Sequence, residues 1–383
     1  MRSFIPLRRI LSTASIAWFA LTALALPTLP GVGAAMQAVV DRREIAGAVT
    51  LVTTKDKIVH LEATGFADIA SEKPMQTDTL FWLASTTKPF TGVAILMLQD
   101  EGRLNIADPV ATYIPGFAKL KTPSGKPANI TIGQLLTHTS GLETTERSAY
   151  AATNNLAGLI DGILAMPMQF EPGEDWKYSS AGFDVAGRIV EIVSGKSFDV
   201  FLQERLFDPL AMKDTTFYPG EAQQKRLATG YLKSRKTGLL RVQALPFDAT
   251  VLKSLPPVPA GGLFSTAGDL ARFCQMLLNR GMLDGKRYLS ETSYHALTTI
   301  QTGDLPNHAL GWGLGVYVVR TPHEVVSAGL SAGTFGHEGA WGTHLIVDPV
   351  KGLAYVMLVQ RSNLPDNFAN EPIRAFLQAA VRP

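Results

Sequence analysis

Cysteine is nearly absent from this 383-residue chain: Cys274 stands alone, so no internal disulfide can hold the fold. Its setting, Leu270-Ala271-Arg272-Phe273-Cys274-Gln275-Met276-Leu277-Leu278, marks it as a small core residue rather than a reactive thiol. An excess of charge of one sign is also missing. Lys and Arg number 35 against 33 Asp and Glu, for a formal charge of +2, which offers no basic face to a nucleic-acid partner. Internal repeats and low-complexity linkers are absent. So are paired cysteines and a His-Glu-x-x-His pattern, and glycines deny His337, Glu338 and His344 the rigid spacing of a metal-ligand set. No metal or cofactor is expected.

A hydrophobic content of 46% is enough to bury a sizeable core in one large domain or two. A long apolar run, Ile10 to Leu26, follows a short basic start with Arg2, Arg8 and Arg9. With small-residue cleavage sites at Ala23-Leu24-Ala25 and Gly33-Ala34-Ala35, residues 1–35 read as an export signal. The flanks of Arg8-Arg9 match a twin-arginine signal poorly. The expected location is periplasmic or secreted, with a membrane tether only if the segment is retained.

Beyond it, Ala46 to Thr53 and Ile58 to Ala63 flank Lys55-Asp56-Lys57 as a hairpin. Near the other end Thr343 to Asp348 and Leu353 to Val359 repeat that pattern around Pro349-Val350-Lys351-Gly352, before a helical tail from Ala369 to Val381. Strands at both ends with helices between predict an antiparallel sheet closed by the two termini. In the middle, Thr131-Ile132-Gly133-Gln134 has the capping-box pattern, Ser265-Thr266-Ala267-Gly268-Asp269 opens another helix, and Ser194-Gly195 ends a third from Asp184 to Val193. The Pro-rich stretch Leu255 to Gly262 reads as the crossing from the helical part back to the sheet.

Chemistry is concentrated in three places. Ser85-Thr86-Thr87-Lys88 sets a hydroxyl and an amine three residues apart, on one face of a helical turn, which is a way to activate serine without histidine. The following run Val93 to Leu98 is apolar all round and reads as a buried helix, with Pro89 near its start. Tyr178, in the polar loop Trp176-Lys177-Tyr178-Ser179-Ser180, is either a base whose phenol a nearby lysine charge helps to ionise or a core ring with a tethered hydroxyl. In Gly336-His337-Glu338-Gly339-Ala340, His337 offers a donor or positive charge and an N–H beside Gly339 can face a developing oxyanion. A rival nucleophile, Ser331 in Gly329-Leu330-Ser331-Ala332-Gly333, has the Gly-x-Ser-x-Gly pattern but is followed by a strand rather than the required helix.

Taken in order, Ser85-Thr86-Thr87-Lys88, Tyr178-Ser179-Ser180 and His337-Glu338-Gly339 resemble the Ser-x-x-Lys, Tyr-x-Asn and Lys/His-x-Gly triplet of the serine β-lactamase and penicillin-binding superfamily. The chain is similar in particular to the class C β-lactamase-related serine hydrolases, which include family VIII-type esterases. The likeness runs from about Met36 to the C-terminus and takes in Phe81-Trp82-Leu83-Ala84, Gln134 to Leu142 and Gly261 to Thr266. It implies an α/β domain from residues 36–80 and 250–383, a mostly helical insert over 81–249, and an active site between them. It further implies Ser85 as nucleophile, Lys88 and Tyr178 as its proton network, and the N–H groups of Ser85 and Ala340 as oxyanion hole, with Ser180, His337 and Gly339 against the substrate. Ser180 departs from the family's asparagine and offers only a short hydroxyl, which favours small esters or peptide-like amides over β-lactams. A β-lactamase or D-alanyl-D-alanine carboxypeptidase is the alternative, and a non-catalytic penicillin sensor or scaffold is the alternative of another class.

Overall fold

The computed structural model describes residues 26–245, 254–322, 329–365 and 370–381. Helix α1 (Val32–Asp41) buries Val32, Met36 and Val39, which recur at helical spacing. Strands β1 (Gly47–Thr53) and β2 (Ile58–Asp68) form the expected first hairpin, with Val49 opposite Ala63 and Leu51 opposite Leu61. The short β3 (Lys73–Pro74) follows at the sheet edge. The helices that shape the site are α2 (Lys88–Asp100), α3 (Ile132–Leu136), α4 (Ala181–Ser194) and α5 (Ala267–Leu278). The chain then returns to the sheet through β4 (Leu310–Trp312), β5 (Tyr317–Val319), β6 (Phe335–Glu338), β7 (His344–Asp348) and β8 (Leu353–Leu358), and ends in α6 (Glu371–Ala380).

These eight strands make one antiparallel sheet in the order β4-β5-β6-β7-β8-β1-β2-β3. Its centre is the pairing of β1 with β8, Val49 opposite Leu358 and Thr53 opposite Ala354, so the two ends of the chain close the sheet as their patterns predict. Every residue of β1 is buried, and the period of two divides them between the faces. Val49 and Leu51 join α5 through Leu270, Phe273 and Cys274, whereas Ala48 and Val52 join α1 and α6 through Met36, Ile373 and Phe376. Covered on both sides, such a strand reads as a continuous apolar run. Cys274 is fully buried in α5, and burial pushes its thiol far up.

Local rules account for the helix ends. Thr131 and Gln134 form both halves of the capping box at α3, Thr266 accepts from the Asp269 N–H at α5, and α4 stops at Gly195 in the left-handed region with φ 74°. The expected tail helix begins at Glu371, while Ala369 lies outside the described residues. The part between the two halves of the sheet is not purely helical. Phe81–Trp82 pairs with Phe264–Ser265, and Tyr231–Lys233 lies between Leu240–Val242 and Arg361–Ser362. Among the described residues no helix is long and apolar enough to cross a membrane.

Candidate active site

The site begins with a tight turn. Residues Ala84–Thr87 form a 3-10 turn that runs straight into α2, and the Lys88 N–H takes the Ser85 carbonyl. Pro89, in the first turn of α2, has no N–H to offer that carbonyl, which favours this tighter bond. Side chains three apart eclipse in a 3-10 turn, and Lys88 Nζ accordingly stands 3.1 Å from Ser85 Oγ. Ala84 holds φ 48°, an uncommon conformation for a residue with a Cβ, immediately before the serine. From Thr79 to Leu98 Ser85 alone is not buried, so the turn presents one hydroxyl to the outside.

Lys88 is itself 1% exposed and gives a second hydrogen bond, 2.7 Å long, to the Ala260 carbonyl. The Pro-rich crossing therefore supplies an acceptor to the amine. Burial draws the Lys88 pKa down to about 7, against the opposing pull of the Asp184 carboxylate. Tyr178 hydrogen-bonds Ser85, and its ring lies 4.9 Å from Lys88 Nζ. Of the two sequence readings of this phenol, a base ionised by a lysine charge and a ring with a tethered hydroxyl, its burial favours the second. Burial dominates and pushes the Tyr178 hydroxyl upward, so it is protonated at neutral pH.

Tyr178 is held by a residue that the sequence patterns did not single out. His138, in the left-handed region at φ 61°, brackets it from the turn after α3: its carbonyl accepts from the Lys177 N–H at 3.1 Å and its Nδ1 from the Ser179 N–H at 3.0 Å. The His138 ring stacks on Tyr178 with centroids 4.3 Å apart and stands edge-on to Trp312 at 4.6 Å. Because Nδ1 is an acceptor, the proton sits on Nε2, and burial keeps the ring neutral. Only its place within the Thr137-His138-Thr139-Ser140-Gly141 stretch signalled it.

The third side of the site is the turn after β6. Thr343 Oγ1 donates to the Leu83 carbonyl at 2.8 Å and lies 3.0 Å from Thr86 Oγ1, which pins the turn to the residues flanking Ser85. Gly339 permits this approach, since a Cβ there would collide with the Leu83 carbonyl and Thr343 Oγ1. Next to it, the Ala340 N–H donates to no acceptor among the described residues. His337 differs from its sequence reading as a donor or positive charge. Its Nδ1–H goes to the Glu338 carbonyl at 2.7 Å and burial draws its pKa down to about 3, so the ring is neutral and Nε2 carries a lone pair.

Ser180 also differs from a free substrate contact. Its hydroxyl accepts from the Thr145 N–H at 3.1 Å and hydrogen-bonds Tyr150, which ties it to the loop beside the site. Ser331, the rival nucleophile, takes its N–H to Asp348 at 3.0 Å and leads through a turn into β6, not into a helix. Among the described residues no group of three or more His, Cys, Asp or Glu is placed to hold a metal ion.

A serine, a buried lysine and a tyrosine thus meet in one hydrogen-bonded cluster, walled by a glycine turn from the sheet. Solved structures share the fold that carries it. EstCE1, described as a hydrolase with promiscuous acyltransferase activity, superposes with a TM-score of 0.80 over 92% of this chain and 97% of its own, and at 20% identity the likeness speaks for the fold alone. In sequence, protein Rv1367c of Mycobacterium tuberculosis is 32% identical over 370 residues, covering 87% of this chain and 90% of that one. Esterase EstB of Burkholderia gladioli is 29% identical over 354 residues, covering 84% and 87%. The family model described as Beta-lactamase matches residues 32–380, so this chain belongs to that family and is one of its serine hydrolases.

Proposed function

We propose that Ser85 is the nucleophile of an acyl-enzyme reaction on small esters or peptide-like amides. The observation that carries this reading is the 3.1 Å contact between Ser85 Oγ and an amine that burial has drawn to about 7. A neutral Lys88 accepts the Ser85 proton as Oγ bonds to the substrate carbonyl carbon. The resulting oxyanion faces the N–H groups of Ser85 and Ala340. When the bond to the leaving group breaks, the proton passes from Lys88 to that group, with the Tyr178 hydroxyl as relay. Water then attacks the acyl carbon, gives its proton to Lys88, and releases the acid as Ser85 regains a proton.

Ester preference is supported by the tethered Ser180 hydroxyl, which leaves no amide at that position for a substrate amide or β-lactam. The name of esterase EstB agrees with it. Intact mass after exposure to a fluorophosphonate should give one adduct on the folded protein, lost in Ser85→Ala. Turnover of p-nitrophenyl butyrate should exceed that of nitrocefin. An adduct that survives Ser85→Ala removes the nucleophile, no adduct at all favours a sensor or scaffold, and a strong preference for nitrocefin favours a β-lactamase.

Export belongs to the same proposal, supported by the basic start and apolar run of the first segment. A cut after Ala25 rather than Ala35 is favoured because the Leu61 N–H takes the Pro27 carbonyl at 2.8 Å, the Leu29 N–H reaches His60 at 3.0 Å, and Val32 is fully buried. N-terminal sequencing of the exported protein decides between the two sites.

A further inference from the structure

The acyl-enzyme reading leaves the buried carboxylate of Asp184 without a task. Asp184 lies in the first turn of α4 and is fully buried. One carboxylate oxygen accepts from Thr145 Oγ1 at 2.9 Å and from the Tyr150 hydroxyl at 2.7 Å, and the other makes no hydrogen bond. No cation pairs with it directly among the described residues. A buried carboxylate with two neutral donors and no ion pair is costly, and its surroundings say what it faces. The Ala260 amide turns toward the Asp184 carboxylate, while the Ala260 carbonyl accepts from Lys88 Nζ at 2.7 Å. Ala260 therefore stands between the acid and the amine.

We propose that Asp184 is a positioning residue of the reaction: through Ala260 and across the buried space around it, its carboxylate fixes the Lys88 amine beside Ser85 and governs how readily that amine takes up a proton. This rests on the roles given above to Ser85 and Lys88. Of the other groups around Lys88, Tyr178 is protonated, and His138 and His337 are neutral through burial. Asp184 is the group whose charge holds the amine's proton affinity up against burial. Burial raises Asp184 itself to about 6, while Tyr150 and Thr145 act to keep it ionised.

The test is the pH profile of kcat/KM on a p-nitrophenyl ester for Asp184→Asn, which keeps the shape and an acceptor for Thr145 and Tyr150. Loss of the negative charge lowers the proton affinity of Lys88, so the acid limb should move down by about one pH unit. The rate of fluorophosphonate inactivation should follow the same shift. A residue that merely supports the fold would lower the plateau or the melting temperature and leave the limb in place, and that result overturns the proposal. Tyr150→Phe gives the second reading should Asp184→Asn not fold. It removes a donor that keeps Asp184 ionised, so its limb should move the same way by less, and an unmoved limb again overturns the proposal. Should Ser85→Ala retain full turnover, the nucleophile is wrong; an unmoved limb with an inactive Ser85→Ala rejects Asp184 alone.

Discussion

Lys88 is held at the tip of a buried helix, and the energetic consequence is that its charge is conditional. The ammonium has lost its water and gained one carbonyl, so the neutral amine is within reach at physiological pH. The pH dependence follows in sign. Below about 7 the ammonium has no lone pair for the Ser85 proton; above it the amine does. The kcat/KM for a p-nitrophenyl ester should rise about tenfold per pH unit below that point and level off above it. A profile already flat from pH 5 upward would exclude Lys88 as the base. The pairing of Ser85 with Lys88 was legible from spacing, and the place of Tyr178 beside them through the family resemblance. Their ionisation was not, because the sign of Tyr178's shift depends on burial, and burial is tertiary. His138 and Asp184 escaped for the same reason: one sits in a short polar turn, the other on a helix with an apolar face, and neither pattern says what lies underneath.

Among the elements, the turn from Gly339 to Thr343 joins the sheet to the nucleophile. A Cβ on Gly339 would meet the Leu83 carbonyl, a backbone atom that cannot swing aside, as well as Thr343 Oγ1, which is itself bonded to that carbonyl. Gly339→Ala should therefore push the turn away from Ser85, costing about 1–3 kcal/mol of stability and cutting ester turnover at least tenfold. Thermal melts and initial rates measure both, and an alanine variant with unchanged turnover would mean that the turn does not serve the oxyanion. The two terminal hairpins were readable because their strands are long enough for residue type and turn chemistry to agree. β4 and β5 were not, since three residues such as Leu310–Trp312 leave no period to count. The crossing from Leu255 to Gly262 was legible as a connection only; that its Ala260 carbonyl holds the amine depends on contacts made across the fold.

For the molecule as a whole, α1 and α6 cover one face of the sheet together and are joined by the ion pair of Arg42 with Glu371. A chain beginning at Leu26 should outlast one beginning at Met36. The shorter form lacks the buried Val32 and the hydrogen bonds of Pro27 and Leu29, a difference of about 2–4 kcal/mol. Equal denaturant midpoints would contradict that role for the segment. The closure of the sheet by β1 against β8 has a consequence in time. During synthesis β1 can pair with β2 at once, but its other edge, apolar on both faces, waits for Leu353–Leu358, almost the last strand made. Until then it is an open template for any passing strand, so the nascent chain is exposed to aggregation until Leu358 has been made.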